Sequence, residues 1–227
     1  MFLSKRKRYT LILLVLACVI LYFIRVHTKK PYRIISSEQG TKTLELKEII
    51  TVKFPFYVFS GKQSDSSFFL SGYMGDIHDL QVLKTKDPET GGKRLKVIYK
   101  RVRKDGGGWC GLYWQYPPNN WGDDVKGGYD LRQARYLYFT ARGERGTERA
   151  EFKIGGIPGR WGDSDEATTG IIQLSNKART YRIDLRKKDL KNIIGGFCFM
   201  IMEKFNPEGA VFYIHDIYYS DRTCIKR

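Results

Sequence analysis

The sequence predicts an all-β protein, a two-sheet jelly-roll sandwich preceded by one N-terminal transmembrane helix. Beyond the N-terminus, apolar and polar residues alternate in short runs such as 150–154 and 181–185, and this period of two is typical of half-buried strands. Glycine-rich breaks separate the runs, as turns separate the strands of a sandwich. The helix is predicted by a single uncharged apolar run near the N-terminus.

Length, composition and charge limit the classes of protein to which the chain can belong. Its 227 residues suit one domain with appendages, and the 42% of hydrophobic residues exclude a disordered chain. Four cysteines are too few for a disulfide-dense scaffold. The net charge of +16 points to nucleic acid, a membrane surface or an acidic polymer. However, residues 1–33 hold eight of the 40 bases and no acid, which leaves 32 bases against 24 acids, or +8, for residues 34–227.

The N-terminal segment has the pattern of a membrane anchor. Residues 1–8 form a basic N-terminus, and residues 9–25 form the predicted span. As a helix the uncharged run covers roughly 24 Å, slightly less than a hydrocarbon core of about 30 Å. Arg8 and Arg25 can extend to the headgroups at its two ends and so compensate for the difference.

The flanks of this span predict its processing and orientation. The basic residues 5–8 favour an N-terminus inside the cell and a C-terminal domain outside the cytoplasm. Because residues 22–25, at the end of the apolar run, include no small residue, an uncleaved signal anchor is favoured over a cleaved signal peptide. The alternative is a bacterial lipoprotein that is cleaved before Cys18, since residues 15–18 loosely resemble a lipoprotein cleavage box.

The remainder of the chain divides into a polar linker or stalk (26–50), the predicted jelly-roll domain (51–221) and a C-terminal tail (222–227). Only residues 187–194 suggest a short helical turn within the domain. The strands that the pattern predicts cover residues 95–102, 109–116, 136–141, 150–154, 170–174, 181–185, 196–203 and 210–219.

Several segments of the predicted domain carry a resemblance to a known family. They are residues 108–115, 117–122, 128–131, 137–143, 151–156 and 212–219. In this order they resemble the galactose-binding-like jelly rolls that serve as carbohydrate-binding modules in bacterial secreted proteins. The resemblance covers roughly residues 52–221 and implies the fold more than it implies a ligand.

Aromatic side chains are candidate contacts for a carbohydrate, because sugar rings present apolar C–H faces to them. Alternation along the strand that begins at Trp109 places Trp109, Tyr113 and Gln115 on the outer face of a sheet. Trp121 and Trp161 lie in glycine-rich loops that can line a cleft. These five residues are the predicted carbohydrate-binding residues. The alternative for each tryptophan is packing in the core or against a loop.

The resemblance also implies a structural calcium ion that joins an early loop to the last strand. Asp76 and Asp79 lie in such a loop and Asp216 lies near the end of the last strand, so these three are the candidate ligands, together with backbone carbonyls. Their spacing alone predicts no metal site, and the alternative is that they cap turns or pair with surface bases. The acidic residues 163–166 are a weaker candidate.

The sequence gives little support to catalysis or to nucleic-acid binding. Glu151 and Asp184 occupy outward positions where solvated charges belong, and no facing pair of carboxylates stands out. No nucleophile motif surrounds His78 or His215. Bases and acids are interspersed in residues 34–227, as on a solvated surface, so no nucleic-acid partner is predicted.

The cysteines leave two alternatives open. Export permits a disulfide, and Cys110 with Cys198 is one candidate pair, but two buried free thiols are the other possibility. Cys18 lies in the predicted span, and Cys224 lies in the C-terminal tail.

These observations together predict a membrane-anchored, exported protein that binds a carbohydrate without catalysis. The expected ligand is a cell-wall or extracellular polysaccharide. The alternative is a structural or interaction protein of the cell envelope that has the same fold and no sugar site. The mildly basic domain also suits anionic wall polymers, a preference that rising salt is expected to weaken.

Overall fold

A computed structural model describes residues 52–61, 67–103 and 105–223. The predicted basic N-terminus, membrane span and linker therefore lie outside the described residues, as do Cys18 and Cys224. Within the described ranges, no helix is long and apolar enough to cross a membrane.

The described residues form eleven strands and two short 3₁₀ helices, Ile77–Asp79 and Glu203–Phe205. The strands are β1 (Phe56–Phe59), β2 (Phe69–Gly75), β3 (Leu80–Lys86), β4 (Lys93–Tyr99), β5 (Trp109–Gln115), β6 (Tyr136–Gly143), β7 (Arg149–Gly155), β8 (Glu166–Gln173), β9 (Arg179–Asp184), β10 (Gly195–Met202) and β11 (Ala210–Ser220). The all-β prediction is confirmed, and the predicted strands correspond to β4–β11.

The strands form two sheets. Sheet A has the order β3-β4-β11-β6-β9, and β1 pairs with part of β11. Sheet B has the order β2-β5-β10-β7-β8. Every pairing is antiparallel, and strands adjacent in a sheet are mostly distant in sequence. This arrangement is the jelly-roll sandwich that the sequence predicts.

An aromatic cluster fills the space between the sheets. Phe139 of sheet A and Phe152 of sheet B approach to 4.5 Å between ring centroids, and Phe197 contacts both rings at 5.3 and 5.9 Å. Phe212 from β11 packs against Phe152 and is fully buried. Each buried side chain of this size contributes about 1.5–3 kcal/mol relative to exposure, so this cluster contributes substantially to the sandwich's stability.

The sequence pattern missed β1, β2 and β3 and wrongly suggested a helical turn at 187–194. In β2, Ser71 and Gly72 interrupt the apolar run, and the register with β5 shifts between Leu70 and Gly72. In 187–194 the backbone forms hydrogen bonds with residues 129–131 instead of the local hydrogen bonds of a helical turn. Ile193 pairs with Tyr129 in both directions, and the carbonyl of Leu190 accepts from Leu131.

Cys110 and Cys198 are both free and buried, which confirms the alternative of two thiols. They lie in adjacent strands but on opposite faces of sheet B, and this explains why no disulfide forms between them. Cys110 packs in the core between the sheets, whereas Cys198 packs with Tyr113 on the opposite face of sheet B. Burial raises the pKa of Cys110 to about 12, and burial also raises the pKa of Cys198.

We expect both thiols to resist alkylation at pH 8 in the native protein, because they are buried and almost fully protonated at that pH. After denaturation, both should react within the same incubation. Peptide mass mapping under non-reducing conditions measures this directly. A peptide pair linked through Cys110 and Cys198 would contradict the structure.

Candidate functional site

Tyr113 and Gln115 lie on the outer face of sheet B, as alternation predicts, but neither is exposed. Tyr113 is 3% exposed, and its hydroxyl donates to the carbonyl of Gly155 at 2.8 Å. Gln115 is 0% exposed, and its amide donates to the carbonyl of Asn120 at 2.8 Å. Both side chains are covered because loops from both sides fold over this part of the sheet.

Asp163 holds one of these covering loops in place. Its carboxylate accepts hydrogen bonds from the backbone N–H groups of Ile157 at 2.8 Å, Ile194 at 2.6 Å and Gly195 at 3.0 Å. Burial raises the pKa of Asp163, and the three N–H donors oppose that rise. This residue of the acidic segment 163–166 thus fastens the loop to the start of β10.

The three predicted tryptophans lie at two separate places. Trp121 is 43% exposed and contacts the ring of Tyr113 edge-on, with the centroids 6.2 Å apart. Trp161 is partly buried, with Lys126 and Arg160 over its ring at 4.6 and 4.9 Å. A 2.6 Å backbone hydrogen bond from Trp161 to Gly122 links their two loops.

Trp109 lies at the other end of the same sheet face. It begins β5 opposite Met202 and lines an open groove of about 680 Å³ together with Met200 and Met202. Since β5 spans seven residues, roughly 20 Å separate this end from Gln115. The structure therefore does not bring the five predicted residues together into one surface. A role of the tryptophans in sugar binding stays a prediction.

The candidate calcium ligands also lie apart. Asp76 is buried, and its two carboxylate oxygens each accept a 2.7 Å hydrogen bond, from the N–H groups of Gly107 and Gly108. Asp79 is buried nearby and accepts from the backbone of Arg103 at 3.0 Å. These two acids cap turns, which is the alternative that the sequence left open.

Asp216 lies in β11 far from that pair. The first residue of β11, Ala210, pairs with Tyr99 beside the Asp79 loop, and Asp216 follows six residues later, about 20 Å along the strand. Its carboxylate accepts from the backbone of Gly61 at 3.2 Å and contacts the ring of His215 at 3.0 Å. Among the residues that the structure describes, no group of three His, Cys, Asp or Glu side chains lies close enough to hold a metal ion.

The outer face of sheet A carries a continuous set of aromatic side chains, which the sequence analysis did not assign to a site. In register, Tyr57 of β1 lies beside Tyr218 of β11, and Tyr218 lies beside Tyr138 of β6. The ring centroids are 5.4 and 5.5 Å apart, and the second pair is stacked. We call these three residues the tyrosine row. Tyr136 continues it, 5.9 Å from Tyr138.

A second group on the same face is strongly basic. Tyr213 of β11 lies between Lys96 of β4 and Arg142 of β6 in the sheet register. The guanidinium carbons of Arg94 and Arg142 lie 4.1 and 4.6 Å from the Tyr213 ring centroid, and the Lys96 ammonium lies 5.6 Å from it. We call Arg94, Lys96 and Arg142 the cationic cluster.

Polar side chains lie between and beside these two groups. His215 pairs in register with Thr140, whose hydroxyl lies 3.3 Å from that of Thr180. Arg182 lies opposite Tyr138 in register and over the ring of Tyr136 at 4.9 Å. The face therefore combines aromatic rings with hydroxyl, imidazole and guanidinium groups.

The fold is similar to that of solved carbohydrate-binding modules. A crystal structure of a family 30 carbohydrate-binding module aligns with 76% of this chain and 90% of its own, at 14% identity and a TM-score of 0.52. The shared feature is the jelly-roll fold.

A second crystal structure of a family 30 module covers 69% of this chain and 95% of its own, at 14% identity and a TM-score of 0.50. The family 30 module of a cellulosomal cellulase from Clostridium thermocellum covers 73% and 96%, at 15% identity and a TM-score of 0.48. The sequence matches no protein-family profile and no curated protein. The likeness to carbohydrate-binding modules is thus confirmed at the level of the fold.

Replacing Asp163 by Ala should destabilise the domain, because three backbone donors lose their acceptor at once. We expect the free energy of unfolding to fall by about 3 kcal/mol. Urea denaturation followed by tryptophan fluorescence measures this. The matched control is Asp124→Ala in an exposed part of the loop between β5 and β6, which should change stability by less than about 0.5 kcal/mol. Equal midpoints for the two variants would contradict the role of Asp163.

Proposed function

We propose that this chain is a carbohydrate-binding protein without catalytic activity, and that its sugar site is the outer face of sheet A. The observation that carries the proposal is the tyrosine row, three aromatic rings in register across β1, β11 and β6. The solved structures that share the fold are described as carbohydrate-binding modules, which supports the same role here.

The geometry of this face suits an extended glycan. Neighbouring rings in the tyrosine row lie about one strand spacing apart, at 5.4 and 5.5 Å, so they form a strip across the sheet. Tyr57 and Tyr218 are partly exposed, so sugar rings can stack on them through their C–H faces, whereas Tyr138 is 5% exposed and packs against the ring of Tyr218. Thr140, Thr180 and Arg182 border it with groups that can bond to ring hydroxyls.

The carboxylates on this face support binding without cleavage. Glycoside hydrolysis needs one carboxyl group that is kept protonated by its surroundings. Asp184 is instead held ionised, since its hydrogen bonds with Arg186 lower its pKa to about 2. Asp216 accepts from the backbone of Gly61 and contacts His215, so it has a structural role in the strand.

The sequence supplies the cellular part of the proposal. A signal anchor at residues 9–25 would hold the domain outside the cytoplasm, where cell-wall or extracellular polysaccharides are the available ligands. A structural calcium ion stays a prediction, and addition of a chelator during a thermal melt tests it.

Glycan binding should depend on the tyrosine row. We expect Tyr218→Ala to weaken binding to the best ligand on a glycan array by about tenfold or more, because truncation of a central aromatic contact typically costs more than 1 kcal/mol. The measurement uses the full chain in mild detergent, first on the array and then by calorimetry with the selected glycan.

Tyr73→Ala is the matched control, because this substitution removes the same side chain from the other sheet. Tyr73 lies in β2 of sheet B and is 47% exposed. Binding by this variant should equal that of the wild type. Equal affinity of the Tyr218 variant and the wild type, with unchanged melting temperatures, would refute this site. If no glycan binds at all, the proposed function itself fails.

A further inference from the structure

We propose that the ligand of this face is an acidic glycan, whose carboxylate, sulfate or phosphate group binds at the cationic cluster while its rings lie along the tyrosine row. This inference rests on the proposed function and names the class of polysaccharide. Three features support it: an excess of positive charge, buried donors that have no acceptor among the described residues, and the position of the cluster beside the tyrosine row.

The cationic cluster carries more charge than its surroundings compensate. Among the described residues, only Arg94 of its three cations forms an ion pair, with Asp87 at 3.3 Å. The Asp87 carboxylate also accepts from the backbone N–H groups of Glu89 and Thr90, both at 2.9 Å. Three positive charges therefore surround Tyr213 with one shared negative charge nearby.

The donors of the cluster are incompletely satisfied. Arg94 is 9% exposed and Tyr213 is 6% exposed, so this part of the face is largely withdrawn from water. The Nε–H groups of Arg94 and Arg142 are buried and have no hydrogen-bond partner among the described residues. Buried charge is costly unless it is paired, and an anionic group of the ligand supplies the missing partner. A guanidinium fork also matches the geometry of carboxylate and phosphate.

Other bases of the domain show the contrast. Arg186 pairs with Asp184 at 2.5 Å, Lys188 pairs with Asp165 at 3.1 Å, and Arg103 pairs with Glu203. These are ordinary surface pairs, and each is formed with a carboxylate from the same domain. The cationic cluster is different because its three bases converge on one aromatic ring, and only Arg94 of them has a carboxylate partner among the described residues.

The cluster and the tyrosine row lie close enough to bind one chain. Arg142 and Tyr138 are both on β6, four residues apart, which corresponds to about 13 Å along the strand. His215 and Thr140 lie between them and offer further polar contacts. An oligosaccharide of a few units covers this distance, so one acidic substituent can reach the cluster while neighbouring rings stack on the tyrosines.

The test measures binding of the full chain to a panel of defined polymers. Polygalacturonate, chondroitin sulfate and a teichoic acid present carboxylate, sulfate and phosphate groups. Fully methyl-esterified polygalacturonate and a mixed-linkage β-glucan serve as uncharged counterparts, and single-stranded RNA tests for a nucleic acid. We expect the tightest binding to one of the acidic glycans. That binding should weaken between about 0.1 and about 1 M NaCl, over which the Debye length falls from about 10 to about 3 Å.

Four variants locate the effect. Arg142→Gln and Lys96→Gln should each weaken acidic-glycan binding by about tenfold, because each removes a charge-assisted contact. Lys177→Gln, in the exposed loop between β8 and β9, removes the same charge away from the face and should bind like the wild type. Thermal melts verify folding, and Arg142→Lys provides a second variant that keeps the charge but loses the fork.

The outcomes separate this inference from the proposed function. Binding to uncharged glycans alone, weakened by Tyr218→Ala, would overturn the acidic ligand and leave the sugar site intact. Absence of binding to every glycan would overturn both. Tighter binding to RNA than to any acidic glycan, or equal losses for Lys177→Gln and Arg142→Gln, would also overturn the inference.

Discussion

The aromatic core between the two sheets is the constraint on which the rest of this domain depends. Phe139, Phe152, Phe197 and Phe212 interlock from both sheets and are fully buried. Because successive residues of a strand point to opposite faces, fixing these rings inward also fixes their neighbours outward. A shift of one residue in β6 or β11 would exchange phenylalanines for tyrosines and arginines in the core. The same packing that stabilises the sandwich therefore determines which side chains form its outer face.

The alternation is interrupted in the central strand β11 by a bulge at Asp216. Ile214 and Ile217 both face the core although they are three positions apart, an odd number, so one extra residue must be accommodated. The register with β6 shifts between His215 and Tyr218, and Asp216 takes a φ of 50° in that bulge. Its side-chain bonds to Gly61 and His215 hold this uncommon conformation. As a result Tyr213 and Tyr218, five residues apart, share one face. The acid expected to bind a metal shapes the backbone of the candidate site.

The alternation within single strands could be predicted from the sequence, but contacts between distant segments could not. In β5 the inward side of Cys110 and Leu112 and the outward side of Tyr113 are as predicted. The burial of Tyr113 depends on the loop held by Asp163, whose bonds cross about 30 residues of chain. Likewise, the tyrosine row joins residues from β1, β6 and β11, and their register depends on the bulge. A local pattern contains no signal for such neighbours, which is why the candidate site was missed.

The positive charge of the domain is more informative once the positions of the basic side chains in the fold are known. A net excess of +8 in residues 34–227 distributed over a surface says little, since interspersed acids screen it. In the folded domain many bases do have acidic partners, such as Arg186 with Asp184 and Arg145 with Glu208. Because these bases are paired with acids, the unpaired positive charge is most concentrated around Tyr213, where few acids lie nearby. A group of three bases around one aromatic ring, of which only Arg94 has a carboxylate partner among the described residues, cannot be explained by solubility alone, because solubility needs charge but not this arrangement of it. Recognition of a ligand with both rings and negative charge accounts for the two features together.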